Sequence, residues 1–334
     1  MLEVPELQPG QVVVKVMYSG LCGTQLMEMQ GKKGPDRYLP HTLGHEGAGV
    51  VIEIGEGVKK VQPGQNVVLS WIKGGGADVG KSVYRSEKGP VNSGAVSTFM
   101  EYAVVSENRV TPIPHWLPLK EASLLGCAVP TGAGIVFNTL KVKEQDSVAI
   151  FGIGGVGLSA FFAAQSVGAR IIVIDQIDNK LQQAKKLGAW KTINITHEDP
   201  MSVIAEVTNG RGVDHSIEAA GQVTTMELAF QVTKEQGGTC VLAGNLEHGG
   251  EISLDPFALI KGKRLLGTCG GETTMDQDLP RFASLYQQGS LMLGQLISQV
   301  FPLGEINTAF EAMKKGVMGR VLIDVSSLSS DSIL

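Results

Sequence analysis

The stretch SVAIFGIGGVGLSAFFAAQSVGARIIVID, residues 147–175, constrains the fold more than any other part of the sequence. An apolar run leads into a glycine-rich turn, then into an alanine-rich helical stretch and a second apolar run. This succession is typical of a strand, a crossover helix and a second, parallel strand. Similar pairs of apolar runs and helical stretches continue to residue 269. The sequence therefore predicts an α/β fold built on a doubly wound parallel sheet.

The glycines of this turn predict a dinucleotide site. Gly152, Gly154 and Gly157 fit G-x-G-x-x-G, which allows a tight turn, a close approach to a pyrophosphate and close helix packing. Asp175 ends the next apolar run, close to the spacing of about 20 residues that the motif shows. A carboxylate there accepts from both ribose hydroxyls and repels a 2′-phosphate, so NAD is favoured over NADP. The alternative is a glycine-rich turn without a ligand.

The chain before residue 120 has a different character. Short β-rich runs such as QVVVKVMYSG and EGAGVVIEIG are broken by glycine and proline, which predicts an irregular, mainly antiparallel β domain. The tail, including VFPLGEINTAFEAMKKGVMGRVLIDV, is expected to return to this domain. We predict a catalytic domain from residues 1–127 and 270–334, and a nucleotide-binding domain from residues 128–269.

Composition narrows the possible partners. The net charge of −5 does not suggest a nucleic-acid surface. No run approaches the ~20 apolar residues that cross a bilayer, and no secretory signal pattern opens the chain. Four scattered cysteines are too few for a disulfide framework, so we expect a cytoplasmic protein.

Three residues that are far apart in the sequence could together bind a metal. Cys22, His45 and Cys127 supply two thiolates and an imidazole, a ligand set that suits catalytic zinc with a fourth position open. Taken singly, each cysteine could be a small buried apolar residue and the histidine a core residue. Spacing alone does not decide between these interpretations.

Several motifs, in order along nearly the whole chain, resemble the zinc-containing alcohol dehydrogenases of the medium-chain dehydrogenase/reductase superfamily. They are GLCGTQ, GHEGAGVVIEIGEGV, GCAVPTGAGIVFNTLKVKEQDSVAIFGIGGVG and INTAFEAMKKGVMGRVLID. The resemblance implies a GroES-like, mainly antiparallel β catalytic domain beside a Rossmann-type NAD-binding domain. It also implies zinc-dependent transfer of a hydride between an alcohol, or its aldehyde or ketone, and NAD.

The resemblance also assigns roles to individual residues. It implies that Cys22, His45 and Cys127 hold zinc, with Glu46 beside the metal and able to enter its coordination shell. Thr24 would accept the proton of the substrate hydroxyl. Trp71 and Phe99 would line the substrate pocket, although they could equally be core aromatics. The implied cofactor-binding residues are Thr131, Gly152, Gly154, Gly155, Val156, Gly157, Asp175 and Lys180.

The sequence departs from the family in four places. No cysteine lies between Leu69 and Ala95, where the family usually has a four-cysteine lobe, so one catalytic zinc and no structural zinc are predicted. Gln25 replaces the aspartate that orients the histidine ligand, and Met27 replaces a proton-relay histidine. The resemblance begins at the usual second strand, so we expect about 20 family residues to be missing at the N-terminus.

Three alternatives remain at this stage. A polyol or sugar-type dehydrogenase of the same superfamily is favoured by Asn245, which registration places near the nicotinamide. A zinc-free reductase of the same fold would lack the cysteine and histidine ligands. A catalytically silent NAD-binding scaffold would bind zinc without turnover. The resemblance also implies a homodimer, or a homotetramer, built on a sheet edge near KRLLGTCGG.

Overall fold

A computed structural model describes residues 2–327 of the chain. In chain order its strands are β1 (Gln11–Gly20), β2 (Glu46–Ile54), β3 (Asn66–Ser70), β4 (Val83–Ser86), β5 (Gly89–Asn92), β6 (Tyr102–Ser106), β7 (Val110–Pro112), β8 (Ser147–Phe151), β9 (Arg170–Asp175), β10 (Lys191–Asn194), β11 (His215–Glu218), β12 (Thr239–Leu242), β13 (Arg264–Gly267), β14 (Ile297–Pro302) and β15 (Arg320–Asp324). The α-helices are α1 (Gly23–Met29), α2 (Leu119–Ala122), α3 (Ala128–Gly134), α4 (Gly155–Ser166), α5 (Asp178–Lys186), α6 (Pro200–Val207), α7 (Val223–Gln231), α8 (Pro256–Ile260), α9 (Met275–Gln287), α10 (Leu293–Leu296) and α11 (Ile306–Lys314).

The first sheet has seven strands in the order β14-β15-β1-β2-β3-β7, and β6 also pairs with β1. All its pairings are antiparallel except β14 with β15. In β1, Val12, Val14 and Val16 are fully buried in one core cluster, while Val13 packs against Tyr84 on the other face. The alternation of a β-branched strand therefore fills both sides of this sheet. The tail returns to the first sheet through β14 and β15, as the sequence predicted.

The second sheet has six parallel strands in the order β10-β9-β8-β11-β12-β13. Every residue of β8 is buried, as expected for a strand covered by helices on both faces. The strand order reverses between β8 and β11, and a crevice at the carboxyl ends of such strands is where open α/β sheets bind ligands. The predicted fold class, a doubly wound sheet beside a mainly antiparallel one, is confirmed.

The segment Leu119–Thr139 joins the two sheets. It runs through α2, a 3₁₀ turn, α3 and the π-helical turn Ile135–Thr139, and every residue of α3 is buried. Its apolar residues share one core cluster with the face of the second sheet that α4 covers. Within residues 2–327, no individual helix combines the length and hydropathy of a membrane span; Leu119–Gly126 and Ala128–Thr139 pass that test only when joined across a 60° bend.

Candidate active site

Cys22, His45 and Cys127 come together at the junction of the two sheets. Cys22 lies between β1 and α1, His45 immediately precedes β2, and Cys127 immediately precedes α3. One ligand atom from each residue lies within 4.8 Å of the other two. Both cysteines are buried. Two sulfurs and an imidazole nitrogen at this separation match the ligand set of zinc, so the residues present fit the metal.

The loop before His45 needs glycine at position 44 because of its backbone conformation and its close packing. Gly44 has φ of +98°, a conformation that favours glycine. A Cβ atom there would lie 2.4 Å from Oγ1 of Thr98 and 2.6 Å from the backbone nitrogen of Phe99. Only glycine therefore lets the loop pack against segment 98–99 and turn His45 toward the two cysteines.

The charges around the cluster favour a thiolate at Cys22. A hydrogen bond with the Cys127 thiol holds the pKa of Cys22 well below its usual value, against the opposing effect of burial, and the Arg320 guanidinium lowers it further. The same partnership and burial raise the pKa of Cys127 well above its usual value. The pair therefore has one strongly acidic thiol even before any cation is considered.

The carboxylate of Glu46, the residue after His45, contacts Ala128 and Arg320. Its side chain has no exposed area; Oε2 accepts a hydrogen bond from the backbone N–H of Ala128 at 2.9 Å, and Oε1 lies 2.7 Å from Nε of Arg320. The Nε–H does not point along that contact, so the attraction is ionic more than hydrogen-bonded. Burial raises the pKa of Glu46, and Arg320 opposes the rise.

Arg320 also lies at this site, although no sequence motif indicated it. It lies at the start of β15, its side chain is 6% exposed, and Nη1 donates to the carbonyl of Leu21 at 3.1 Å. A Cβ atom on Gly155 would lie 2.8 Å from Nε of Arg320, so the guanidinium lies against the first turn of α4. Nη2 is buried without a hydrogen-bond partner. The only sequence signal was an arginine at the edge of an apolar strand.

The glycine-rich turn leaves open space where a pyrophosphate is expected. A Cβ atom on Gly157 would lie 1.9 Å from the carbonyl oxygen of Gly152, so α4 packs too close to β8 for any side chain. A Cβ atom on Gly154, in contrast, would meet nothing within 4 Å. Glycine at 154 is not required by the protein's own packing, which fits a ligand approaching at this point.

Asp175 lies at the carboxyl end of β9, as the motif requires. Its Oδ1 accepts from the backbone N–H groups of Gln176 and Ile177, and Oδ2 accepts from that of Ile153 at 3.1 Å. Nζ of Lys180 lies 3.5 Å from Oδ2, the longest of these contacts. The backbone thus fixes the carboxylate, and the lysine contact is the one that a ribose hydroxyl could most easily replace.

The other predicted residues lie around the same junction. Oγ1 of Thr24, in α1, accepts a hydrogen bond from Nδ2 of Asn245 at 2.9 Å. The backbone N–H of Trp71 donates to the carbonyl of His45 at 3.2 Å. Phe99 is half-buried and packs edge-on against Phe310, a core residue of the first sheet, with ring centroids 6.1 Å apart. Thr131 is buried in α3, and Val156 is half-buried in the first turn of α4.

Comparison with known proteins identifies the family. Residues 8–115 match the "Alcohol dehydrogenase GroES-like domain" and residues 155–287 match the "Zinc-binding dehydrogenase" family. S-(hydroxymethyl)glutathione dehydrogenase of Synechocystis sp. is 35% identical, with 96% of this chain and 94% of the relative covered. The chain belongs to the zinc-containing alcohol dehydrogenases of the medium-chain dehydrogenase/reductase superfamily. It is a zinc-dependent oxidoreductase that transfers a hydride between an alcohol and NAD.

Two further relatives of this alcohol dehydrogenase agree with that assignment. Alcohol dehydrogenase class-3 of Pisum sativum is 35% identical, over 97% of this chain and 93% of the relative. The crystal structure of benzyl alcohol dehydrogenase from Acinetobacter calcoaceticus superposes with a TM-score of 0.87 at 31% identity, covering 97% of this chain and 94% of that one.

The segment between Leu69 and Ala95, which contains no cysteine, includes the hairpin of β4 and β5. A single carboxylate fixes its start, because Oε2 of Glu107 accepts from the backbone N–H of Ala77 at 2.7 Å. Oε1 of Glu107 accepts from the backbone N–H groups of Lys59 and Lys60 at 2.6 and 2.7 Å. Hydrogen bonds therefore tie this segment to the first sheet without any cysteine.

A second group of ionisable side chains also converges, at the end of α1. Ligand atoms of Glu28, Asp36 and His41 lie within 4.8 Å of one another. Both ring nitrogens of His41 already have partners, the carbonyl of Thr42 at 2.9 Å and Oδ2 of Asp36 at 2.7 Å. This geometry is that of an ion-pair network.

Proposed function

We propose that this alcohol dehydrogenase holds one catalytic zinc ion through Cys22, His45 and Cys127 and carries out hydride transfer beside it. The observation that supports this most is the convergence of three ligand atoms, from three distant parts of the chain, within 4.8 Å. Glu46 lies behind them with its carboxylate directed at Arg320 and Ala128. Its entry into the coordination shell stays a prediction.

The bound metal would supply Lewis-acid chemistry to the alcohol oxygen, and NAD would accept the hydride. The chain's own residues would position the reactants. The oxygen of Thr24 would receive the alcohol proton while its own hydrogen passes toward the cofactor ribose. The open backbone at Gly154, with the N-terminus of α4, would hold the pyrophosphate. The guanidinium of Arg320, whose Nε and Nη1 lie against Gly155 at the start of α4, would add positive charge on that side.

The remaining predicted residues would shape the cofactor and substrate pockets. Asp175 would bind the adenosine ribose, with Lys180 beside it. Thr131 and Val156 would press on the nicotinamide. They lie on helices that pack closely together, since a Cβ atom on Gly132 of α3 would lie 2.2 Å from the carbonyl oxygen of Val156 in α4. Trp71 is bonded to the His45 carbonyl and would line the substrate side. The contact of Phe99 with Phe310 favours a core role over a pocket role for that ring.

A simple primary or aromatic alcohol is the proposed substrate class. The names of two relatives support it, since one acts on S-(hydroxymethyl)glutathione and another on benzyl alcohol. A polyol is the second candidate, because the exposed carboxamide of Asn245 could bond a second hydroxyl. 2R,3R-butanediol dehydrogenase from Bacillus subtilis is 27% identical with a TM-score of 0.76, covering 97% of this chain and 95% of that one.

Three further proposals concern the whole molecule. The metal count is one per chain, with no structural zinc, because the segment between Leu69 and Ala95 has no cysteine. Residues 1–127 with 270–334 would form the catalytic domain and residues 128–269 the nucleotide-binding domain; residues 1 and 328–334 lie outside the described part. Two copies would pair along the edge strand β13, which carries exposed Leu266 near exposed Ile260. A tetramer and a cytoplasmic location stay predictions.

Zinc analysis beside a substrate screen tests this function. Wild type is expected to contain one zinc per chain and to turn over at least one alcohol with NAD. Cys22→Ser and His45→Ala should lose the zinc and the turnover while binding of NADH, followed by its fluorescence, stays within about twofold. Cys269→Ser is the matched control, because that thiol is exposed and distant from the cluster in sequence. A full complement of zinc in either ligand variant would refute the assignment.

A further inference from the structure

Asn245 makes a contact that no part of the proposed mechanism uses. It lies just beyond β12, on the nucleotide-binding sheet, and its Nδ2 reaches Oγ1 of Thr24 at 2.9 Å, in α1 beside the first sheet. Thr24 is two residues from Cys22, so this bond spans the cleft between the two sheets close to the proposed metal. Asn245 is exposed and Thr24 is half-exposed, so both are open to a substrate.

The backbone around Asn245 is held firmly. The N–H groups of Ala243 and Gly244 donate to the carbonyl of Glu218, at the end of β11, at 2.8 and 3.0 Å. Gly221 approaches so closely that a Cβ atom there would lie 2.6 Å from the carbonyl oxygen of Asn245. The buried carboxylate of Glu218 in turn accepts from the N–H of Gly221 at 2.8 Å. The carboxamide is therefore presented from a fixed loop at the carboxyl ends of β11 and β12.

The donor character of Nδ2 determines what Thr24 can do. An amide nitrogen donates and cannot accept, so the contact occupies one of the two lone pairs on Oγ1. The second lone pair stays available to an alcohol O–H. When Thr24 receives the alcohol proton it releases its own hydrogen to a different acceptor, for which the cofactor ribose is the proposed group. Because Nδ2 of Asn245 donates to Thr24, the Thr24 hydroxyl cannot point its own hydrogen at Asn245.

We infer that Asn245 is a positioning residue for the reaction, which orients the Thr24 hydroxyl to receive the substrate proton when the two halves of the cleft are together. This inference rests on the proposed role of Thr24. Proton transfer would then depend on the nucleotide-binding sheet, because Asn245 belongs to that sheet whereas Thr24 lies beside the first sheet.

The test measures hydride transfer in a single turnover of the zinc-loaded enzyme with NAD, using benzyl alcohol and 2,3-butanediol as probes. Asn245→Leu removes the donor at similar size, and Asn245→Asp replaces it with a carboxylate that only accepts. A lost hydrogen bond predicts a rate about five- to tenfold lower in Asn245→Leu, with NAD affinity and melting temperature unchanged. Asn245→Asp should be at least as slow as Asn245→Leu, and its deficit relative to wild type should be larger when the new carboxyl is ionised.

Two comparisons separate orientation of Thr24 from a general effect on the loop. Glu247 lies in the same loop as Asn245 and pairs with Lys32 of the other half of the cleft. Glu247→Gln breaks that ion pair and should leave the rate of hydride transfer within about twofold of wild type. Asn245→Leu should slow wild type but have no further effect in a Thr24→Val background, because both changes remove one function. An unchanged rate in Asn245→Leu, or an equal slowing with and without Thr24, would overturn the inference. A wild-type rate in Thr24→Val would instead remove the proposed role of Thr24.

Discussion

Replacing Arg320 with methionine should destabilise this alcohol dehydrogenase more than the loss of an ordinary ion pair. Glu46 has no exposed side-chain area and Arg320 has 6%, so water cannot take over the role of the missing guanidinium. Oε2 of Glu46 would keep the N–H of Ala128 at 2.9 Å, but Oε1 would lose its cation at 2.7 Å. The variant therefore leaves a buried carboxylate without its counter-ion.

The size of the effect follows from the loss of only one member of the buried ion pair. Removing one member of a buried ion pair typically costs about 3–5 kcal/mol, whereas replacing both members with neutral groups of similar volume is often close to neutral. The bond from Nη1 to the Leu21 carbonyl adds about 1 kcal/mol. We expect Arg320→Met to lower the free energy of unfolding by about 5 kcal/mol. The double variant Arg320→Met/Glu46→Gln should recover most of that loss.

Urea unfolding of the zinc-loaded protein, followed by circular dichroism and by tryptophan fluorescence, measures both variants. The two signals must report coincident transitions before a free energy is extracted. Glu46→Gln alone completes the double-mutant cycle. Its loss of unfolding free energy should lie between those of the double variant and Arg320→Met, because the arginine is then left without its carboxylate. A deficit below about 1 kcal/mol in Arg320→Met, or a double variant no more stable than Arg320→Met, would contradict the reasoning.

Two predictions concern the cofactor and the assembly. Asp175→Ala removes the carboxylate that would repel a 2′-phosphate, so the NAD-to-NADP ratio of kcat/KM should fall by at least about tenfold; an unchanged ratio would exclude that role. Leu266→Lys places a charge on the edge strand β13, where that leucine is 40% exposed, and should shift the protein toward monomer in analytical ultracentrifugation. A dimer of unchanged stability would show that the copies associate elsewhere. Val83→Lys, which places the same charge on a similarly exposed residue of β4, serves as control.

The sequence predicted both sheets because each has a periodic signature. The buried run SVAIF and the glycine turn after it determine β8 and the start of α4, and alternating valines determine β1. The three metal-ligand candidates were recognised from motifs. Their convergence required the fold, since no local property of Cys127 shows that it lies near residue 45.

Other parts of the site follow from long-range contacts that leave no local pattern. The partner of Glu46 comes from the last described strand of the chain, and an arginine before an apolar run looks like an ordinary surface residue. Asn245 similarly meets Thr24 only through the meeting of the two sheets. The π-helical turn Ile135–Thr139 was also beyond prediction, because residue propensities do not distinguish its hydrogen bonds from those of an α-helix.

The position of β15 in the first sheet has a consequence for synthesis. β15 pairs directly with β1, so two neighbouring strands of this sheet lie about 300 residues apart in the sequence, as the pairing of Gly20 with Leu322 shows. Strands β8 to β13, by contrast, are contiguous in the chain. On the ribosome the parallel sheet can therefore be complete while the other sheet still waits for its final strands. During that interval Glu46 lacks its arginine, and the first half of the nascent chain is the part that most needs protection from aggregation.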